Sequence, residues 1–171
     1  MSINRSYAGI GSRRTPREIC EVMCDLGESL GSVGYVLRSG AAIGADSAFE
    51  NGCDIAYGEK EIYLPKPVWR GRTADERGVY FMKGNRKEAA ELAAASWKDG
   101  PGSFMCLPEW LKSYHIRNTY QVLGMDLDDP VDFVLYWTPI PETGGTTQAL
   151  RMARARNIPC LRVTETTTLR V

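Results

Sequence analysis

The chain has 171 residues, of which 43% are hydrophobic, and its 21 basic residues balance its 21 acidic residues. This composition excludes a mainly disordered chain, and no apolar run approaches the roughly 18 residues of a membrane span. The N-terminus lacks the apolar core of a secretory signal. Five cysteines without framework spacing and a single histidine argue against a disulfide scaffold or a His-rich zinc site. We therefore expect a cytoplasmic protein of one domain, without a metal or cofactor.

Short apolar runs alternate with amphipathic stretches, which is typical of an α/β domain with a parallel sheet. The predicted strands cover residues 7–10, 35–37, 61–64, 131–137 and 160–163. The predicted helices start after Thr15 and at Asp46, and cover about residues 86–98, 108–124 and 148–157. Residues 66–84 have no regular pattern, and we expect a loop over one end of the sheet, serving as a lid. The pattern as a whole predicts a doubly wound, mostly parallel, five-stranded sheet with helices on both faces.

Three of these strands run into glycine-rich turns that open helices, after Ile10, Leu37 and Trp137. In a parallel sheet the three turns lie at one edge, where doubly wound folds bind their ligands. Glycines allow close approach of the backbone, and helix N-termini attract anions. With Arg13 and Arg14 next to the first turn, this arrangement predicts a phosphate-binding crevice. The alternative is that the glycines only close tight turns.

Several familiar motifs are absent. The first turn reads AGIGSRR, with Arg14 where a dinucleotide fingerprint has its third glycine. The sequence has no Walker motif, no nucleophile elbow and no cysteine pair with zinc spacing.

The three turns carry a resemblance to a known group of proteins. They read YAGIGSR from Tyr7, SGAAIGAD from Ser39 and GGTTQA from Gly144. These motifs resemble the SLOG superfamily of Rossmann-like domains, which includes the DprA (Smf) DNA-processing proteins and the LOG phosphoribohydrolases. The segment RNTYQVLG from Arg117 is similar to one in short, stand-alone DprA-like proteins, many of them encoded by bacteriophages. The resemblance implies one Rossmann-like domain over residues 1–171 and a homo-oligomer, in the host cytoplasm if a phage encodes it.

The resemblance also implies which residues contact a nucleotide-like or single-stranded DNA ligand. The candidate ligand-binding residues are Gly11, Ser12, Arg13, Gly40, Gly44, Asp46, Arg117, Asn118, Gly144, Gly145 and Thr146. In LOG enzymes a glutamate of the third turn assists cleavage of an N-glycosidic bond, and Ala149 occupies that position here. Glu142 and Asp46 are the remaining catalytic candidates.

Individual side chains have simpler explanations as well. Asp46 could cap its helix or bind a ribose hydroxyl, and Arg13 could bind phosphate or only face solvent. His115 forms a polar cluster with Arg117 and Asn118 that could be structural or could reach the crevice from a neighbouring subunit. Three arginines of the last helix form either a DNA-binding stripe or a solvated face: Arg151, Arg154 and Arg156. The four tryptophans are expected in the core, although Trp69 could stack on a base.

Three functions stay open at this point. The leading hypothesis is a domain that binds, senses or processes a nucleotide or nucleotide-derived phosphorylated ligand. The alternatives are DprA-like binding of single-stranded DNA and LOG-like hydrolysis of a nucleotide. The absence of net charge favours the nucleotide over DNA, and Ala149 favours binding over catalysis. A vestigial pocket in an interaction domain is a further possibility.

Overall fold

The computed structural model describes residues 5–168; residues 1–4 and 169–171, the ends of the predicted single domain, lie outside the described part. The extent of that domain therefore stays a prediction. The secondary-structure elements of residues 5–168 are, in chain order, β1 (Ser6–Gly11), α1 (Arg17–Ser32), β2 (Val36–Ser39), α2 (Ala45–Ile55), β3 (Lys60–Tyr63), β4 (Val68–Trp69), β5 (Arg72–Thr73), β6 (Val79–Tyr80), α3 (Arg86–Ala95), α4 (Gly100–Met105), α5 (Glu109–Leu123), β7 (Phe133–Trp137), α6 (Gly145–Arg154) and β8 (Cys160–Arg162).

The main sheet has six strands in the order β6-β3-β2-β1-β7-β8, and all neighbouring strands pair in parallel. The chain first builds outward from β1 through β2 and β3, and then returns to add β7 and β8 on the other side. The direction of winding thus reverses between β1 and β7. This reversal is the topological switch point at which open α/β sheets form a crevice.

Helices cover both faces of the sheet, as the sequence predicts. One core cluster joins α1 and α2 to the sheet through residues such as Met23, Phe49 and Leu37. A second cluster joins the other helices to the opposite face, with Tyr120 and Leu150 among its fully buried members. The central strands β1 and β7 are mainly apolar, because a parallel sheet is buried on both sides, whereas β2 and β3 also contain Arg38, Lys60 and Glu61. The predicted doubly wound α/β fold is therefore confirmed.

The predicted number of strands is too low by one, and the error lies in the segment predicted as an irregular loop. Residues 66–84 contain an antiparallel hairpin of β4 and β5 and then β6, which pairs with β3 at the edge of the main sheet. Arg72 of the hairpin donates to Glu50 of α2 at 2.9 Å and therefore ties the hairpin to the body of the domain. Each of these strands has only two residues, too few to produce a recognisable hydrophobic pattern.

Three predicted helix boundaries also need correction. Helix α1 begins at Arg17 without a side-chain cap, because the Thr15 hydroxyl donates to the carbonyl of Ser12 instead, at 2.6 Å. The helix predicted over about residues 86–98 is α3, which ends at Ala95, and the short helix α4 that follows it at Gly100–Met105 was not predicted. Helix α6 begins three residues earlier than predicted, at Gly145, so the third glycine turn is itself the start of the helix. Within residues 5–168, no helix has the length and apolar character needed to cross a bilayer.

Candidate functional site

The three glycine-rich turns lie side by side, because β2, β1 and β7 are neighbours in the sheet. We call them the first loop (residues 11–16, from the last residue of β1), the second loop (residues 40–44, after β2) and the third loop (residues 138–145, after β7 and including the first residue of α6). The Ser12 N–H donates to the carbonyl of Trp137 at 2.9 Å, which joins the first loop to the end of β7. The predicted meeting of three loops at one edge is therefore what the structure shows.

The second loop packs against the first without room for a side chain. Gly44 has a φ of +84°, and a Cβ atom there would lie 2.6 Å from the carbonyl oxygen of Ser12. A Cβ atom on Gly40 would collide with the guanidinium of Arg117, which donates to the Gly40 carbonyl. These two glycines therefore serve contacts within the protein, and neither lines the crevice described below.

Asp46 fastens α2 to the first loop. It lies in the first turn of α2 rather than at the cap, so the predicted N-cap is wrong: Gly44 is the capping residue, and the Asp46 carboxylate accepts the Gly11 N–H at 3.2 Å. The side chain is 3% exposed, and burial raises its pKa to about 6, although the nearby Arg117 acts in the opposite direction. Asp46 is thus partly protonated near neutral pH and holds the backbone of the first loop.

Arg117 and Asn118 connect α5 to two of the loops. Arg117 is buried and bonds to Gly40 of the second loop, and burial lowers its pKa. The Asn118 amide donates to the carbonyl of Gly145 at 3.1 Å and to the side chain of Gln148 at 3.3 Å. Both residues border the crevice, but most of their polar atoms hold its walls together.

The third loop, in contrast, leaves open space. Gly144 has a φ of +90°, and a Cβ atom there would meet nothing within 4 Å. A Cβ atom on Gly145 would meet only the Cε1 atom of His115, at 3.9 Å. The first-turn N–H groups of a helix have no partner within the helix and carry a partial positive charge. The start of α6 is therefore an accessible set of hydrogen-bond donors.

A crevice of about 830 Å³ lies between the first loop, the start of α6 and helix α5. The predicted site residues that line it are Gly11, Ser12, Arg13, Asp46, Arg117, Asn118, Glu142, Gly144, Gly145 and Thr146. Its basic residues are Arg13, Arg14, Lys98, Arg117 and Arg151, against two acidic ones, Asp46 and Glu142. Arg13 and Arg14 are exposed and form no ion pair within residues 5–168. The crevice thus offers unpaired positive charge next to helix N–H groups.

Glu142 lies at the rim of the crevice and is fully engaged. Its two carboxylate oxygens accept hydrogen bonds from the guanidinium of Arg154 at 2.8 and 3.0 Å, and from the Tyr136 hydroxyl at 2.9 Å. The hydrogen bonds from Arg154 lower the pKa of Glu142. This ion pair also removes Arg154 from the predicted arginine stripe. Of the other two arginines, Arg151 borders the crevice, whereas Arg156 lies two residues beyond α6 and donates to the carbonyl of Met152.

His115 forms part of the inner wall of the crevice and is 3% exposed. Its ring packs edge-on against Trp97, with centroids 4.7 Å apart, and its Nδ1 atom has no hydrogen-bond partner within residues 5–168. Burial lowers its pKa to about 4, so the imidazole is neutral at physiological pH. The residue reaches the crevice from its own chain, without a neighbouring subunit.

Several lining residues were not predicted as site residues from the sequence: Trp97, Lys98, Trp110 and Tyr114. Trp110 was expected in the core, yet it is 57% exposed. Its exposure could have been inferred from its position two residues after Pro108, in the first turn of a helix whose buried residues lie in the later turns. In the described residues, His, Cys, Asp and Glu form no group that could hold a metal ion.

The fold and the crevice define a Rossmann-like α/β protein with a basic pocket at its topological switch point. No protein-family model and no curated protein sequence matches the chain. A solved structure of DNA processing protein A (DprA) from Helicobacter pylori is similar to it, with a TM-score of 0.55 and 15% sequence identity. The likeness covers 93% of this chain and 65% of that chain, so this chain spans less than two thirds of that protein. The fold is therefore DprA-like.

Proposed function

We propose that the crevice binds a nucleotide through its phosphate group. The observation that carries this proposal is the position of the unpaired Arg13 and Arg14 beside the open start of α6. A phosphate has only acceptor oxygens at neutral pH, and both the guanidinium groups and the helix N–H groups are donors. The donors come from two separate loops on either side of the switch point, so an anion between them contacts both.

The size and lining of the crevice fit the rest of a nucleotide. Small-molecule sites are typically about 300–1,000 Å³ and combine apolar walls with a few polar groups. The crevice has about 830 Å³, with Trp97 and Tyr114 among its walls. Aromatic rings offer a flat surface on which a base can stack. We assign Arg13, Arg14, Gly144, Gly145 and Thr146 to ligand contact, and Asp46, Arg117 and Asn118 to positioning of the loops.

Single-stranded DNA is the second candidate ligand. The structural neighbour from H. pylori is described for its single-stranded DNA binding mode. A strand of DNA presents the same phosphate and base as a free nucleotide, so the same donors would serve. The two candidates differ in salt dependence, because each additional phosphate contact on a single strand adds about 0.7 to the slope of log affinity against log salt.

The geometry favours binding over N-glycoside hydrolysis. Ala149, at the position of the LOG glutamate, is fully buried. Glu142 is held ionised in its pair with Arg154 and has no proton to donate to a leaving group. Asp46 has a raised pKa, but its carboxylate already accepts the N–H of Gly11.

Thermal unfolding in the presence of nucleotides tests the proposal. A saturating nucleoside monophosphate stabilises the protein by about 2.7 kcal/mol at 100 times its dissociation constant, whereas the matching nucleoside does not. In Arg13→Ala and Arg14→Ala we expect this stabilisation to shrink. Arg17→Ala is the matched control, because Arg17 is an exposed arginine of the adjacent helix that pairs with Glu21 outside the crevice. Equal loss in Arg17→Ala, or equal stabilisation by nucleoside and nucleotide, would contradict phosphate binding in the crevice.

A further inference from the structure

Three aromatic rings form a continuous strip that leads away from the crevice. The Trp110 and Tyr114 rings, one helical turn apart on α5, meet edge-on with centroids 6.3 Å apart. Tyr114 in turn meets Trp69 of strand β4 edge-on, with centroids 5.4 Å apart. We call these three residues the aromatic strip. It joins the first turns of α5 to the hairpin of β4 and β5.

The strip begins inside the crevice and ends outside it. Trp110 and Tyr114 line the crevice, whereas Trp69 does not. Trp110 is more than half exposed, although a tryptophan normally buries most of its large apolar surface. Core packing therefore does not explain the position of the Trp110 ring.

Positive charge accompanies the outer end of the strip. The guanidinium of Arg70 lies over the Trp69 ring, 5.6 Å from its centroid. Arg70 and Gly71 form the two-residue turn of the hairpin, with φ values of +51° and +76°. Such a turn favours Asn-Gly, because both central residues have positive φ. The backbone alone thus gives no reason for an arginine at this position.

Two acidic side chains that are close to the strip in sequence, Glu76 and Glu109, are already paired. Glu76 accepts from Arg72 at 2.7 Å and from the backbone N–H of Thr73 at 2.7 Å. Glu109, next to Trp110, forms an ion pair with Lys112. Arg70 has no ion pair within the described residues, so no direct partner neutralises its positive charge. Trp110 is exposed, and Tyr114 and Trp69 are half-buried. Accessible aromatic rings beside unpaired arginines are the combination with which proteins bind single-stranded nucleic acid.

We propose that the aromatic strip is a second binding site, which stacks the bases of a single-stranded nucleic acid whose adjoining nucleotide occupies the crevice. The proposal rests on the proposed function, because it places one nucleotide of the strand in the crevice. It assigns the bases next to that nucleotide to Trp110 and then to Trp69, with Arg70 near the backbone phosphates. A free mononucleotide fills the crevice without needing the outer end of the strip.

The test compares an oligothymidylate of about ten nucleotides with thymidine monophosphate, each titrated into the wild type and the Trp110→Ala and Trp69→Ala variants. Stacking on one aromatic residue accounts for roughly a fivefold to hundredfold gain in affinity. We therefore expect each variant to lose at least about fivefold in oligonucleotide affinity, and Trp69→Ala to bind the mononucleotide as the wild type does. Trp110→Ala keeps the test valid if Trp69→Ala disturbs the hairpin, because Trp110 is the more exposed of the two.

Tyr57→Ala is the matched control. Tyr57 is 97% exposed and follows the C-terminal end of α2, at the opposite edge of the sheet from the crevice. Wild-type oligonucleotide affinity in both tryptophan variants, or an equal loss in Tyr57→Ala, would overturn the strip as a binding site. An oligonucleotide that binds the wild type no more tightly than the mononucleotide would do the same. A fourth result would separate the two sites: the oligonucleotide binds tightly, the binding depends on Trp110, and Arg13→Ala leaves it unchanged. This result would support the strip as a binding site and contradict the crevice as the nucleotide site.

Discussion

The second and third loops share a pattern, since each follows a buried strand, contains glycines and leads into a helix, yet their glycines have different roles. In the second loop, Gly40 and Gly44 leave room for the protein itself, namely for Arg117 and for the Ser12 carbonyl. In the third loop, Gly144 and Gly145 face open space at the edge of the crevice. A glycine-rich turn therefore marks a close approach of some group to the backbone, but it does not show whether that group belongs to the protein or to a ligand.

The largest expected effect is a loss of stability on substitution of a glycine in the second loop. Gly44→Ala places a methyl group 2.6 Å from the Ser12 carbonyl in a backbone conformation that only glycine adopts readily. We expect a loss of about 3 kcal/mol in the free energy of unfolding, from strain and overpacking together. Urea denaturation measures it, with Gly102→Ala as control, because a Cβ atom there meets nothing within 4 Å. A Gly44→Ala protein as stable as the wild type would contradict the assignment of the second loop to internal packing.

A smaller effect tests how Asp46 is held beneath the loops. Its pKa is about 6 in the folded protein, above the value of about 3.9 for an unfolded chain. Its protonation therefore adds stability below the unfolded pKa, and this contribution is lost as the pH rises through about 6. Relative to Asp46→Asn, which cannot titrate, the wild type should lose about 2–3 kcal/mol between about pH 4 and about pH 7.

Denaturation of both proteins across this pH range measures the difference. His115 titrates in the opposite sense, since its pKa is lowered to about 4 and the stability it contributes is lost as the pH falls below about 6.5. Because both proteins contain His115, its contribution cancels in the difference. A pH-independent difference between the two proteins would contradict a buried carboxyl with a raised pKa.

The smallest effect on stability belongs to the third loop. Gly145→Ala adds a methyl group with no contact closer than 3.9 Å, at the start of a helix where alanine is favoured over glycine. We expect a stability equal to that of the wild type or greater by up to about 1 kcal/mol, together with a smaller stabilisation by nucleotides because the methyl group occupies part of the anion site. Calorimetric melting with and without a nucleoside monophosphate tests both. A Gly145→Ala protein that is less stable than the wild type but binds nucleotide equally well would contradict the assignment of the third loop to ligand binding.

Much of this edge of the sheet could be predicted from the sequence, because glycines and helix starts are local signals. The three turns, the crevice and the place of Arg13 all follow from them. The role of Gly40 and Gly44 in internal packing could not be predicted, since it depends on contacts with Arg117 and Ser12, which are distant from them in the chain. Strand β6 was missed because parallel pairing over two residues leaves no periodicity. Trp110 was misplaced because its exposure depends on which helices pack around it. Homo-oligomerisation, a cytoplasmic location and origin in a phage stay predictions.

The most direct test of phosphate binding in the crevice uses the single histidine of the chain as a reporter. The Cε1 atom of His115 lies 3.9 Å from where a Cβ atom of Gly145 would stand, so its NMR signal senses the start of α6. Titration with thymidine monophosphate should shift this signal saturably, and thymidine alone should leave it in place. In Arg13→Ala the midpoint of the titration should move to higher nucleotide concentration. An imidazole signal that stays unchanged up to saturating nucleotide, or that moves equally with thymidine, would contradict the account.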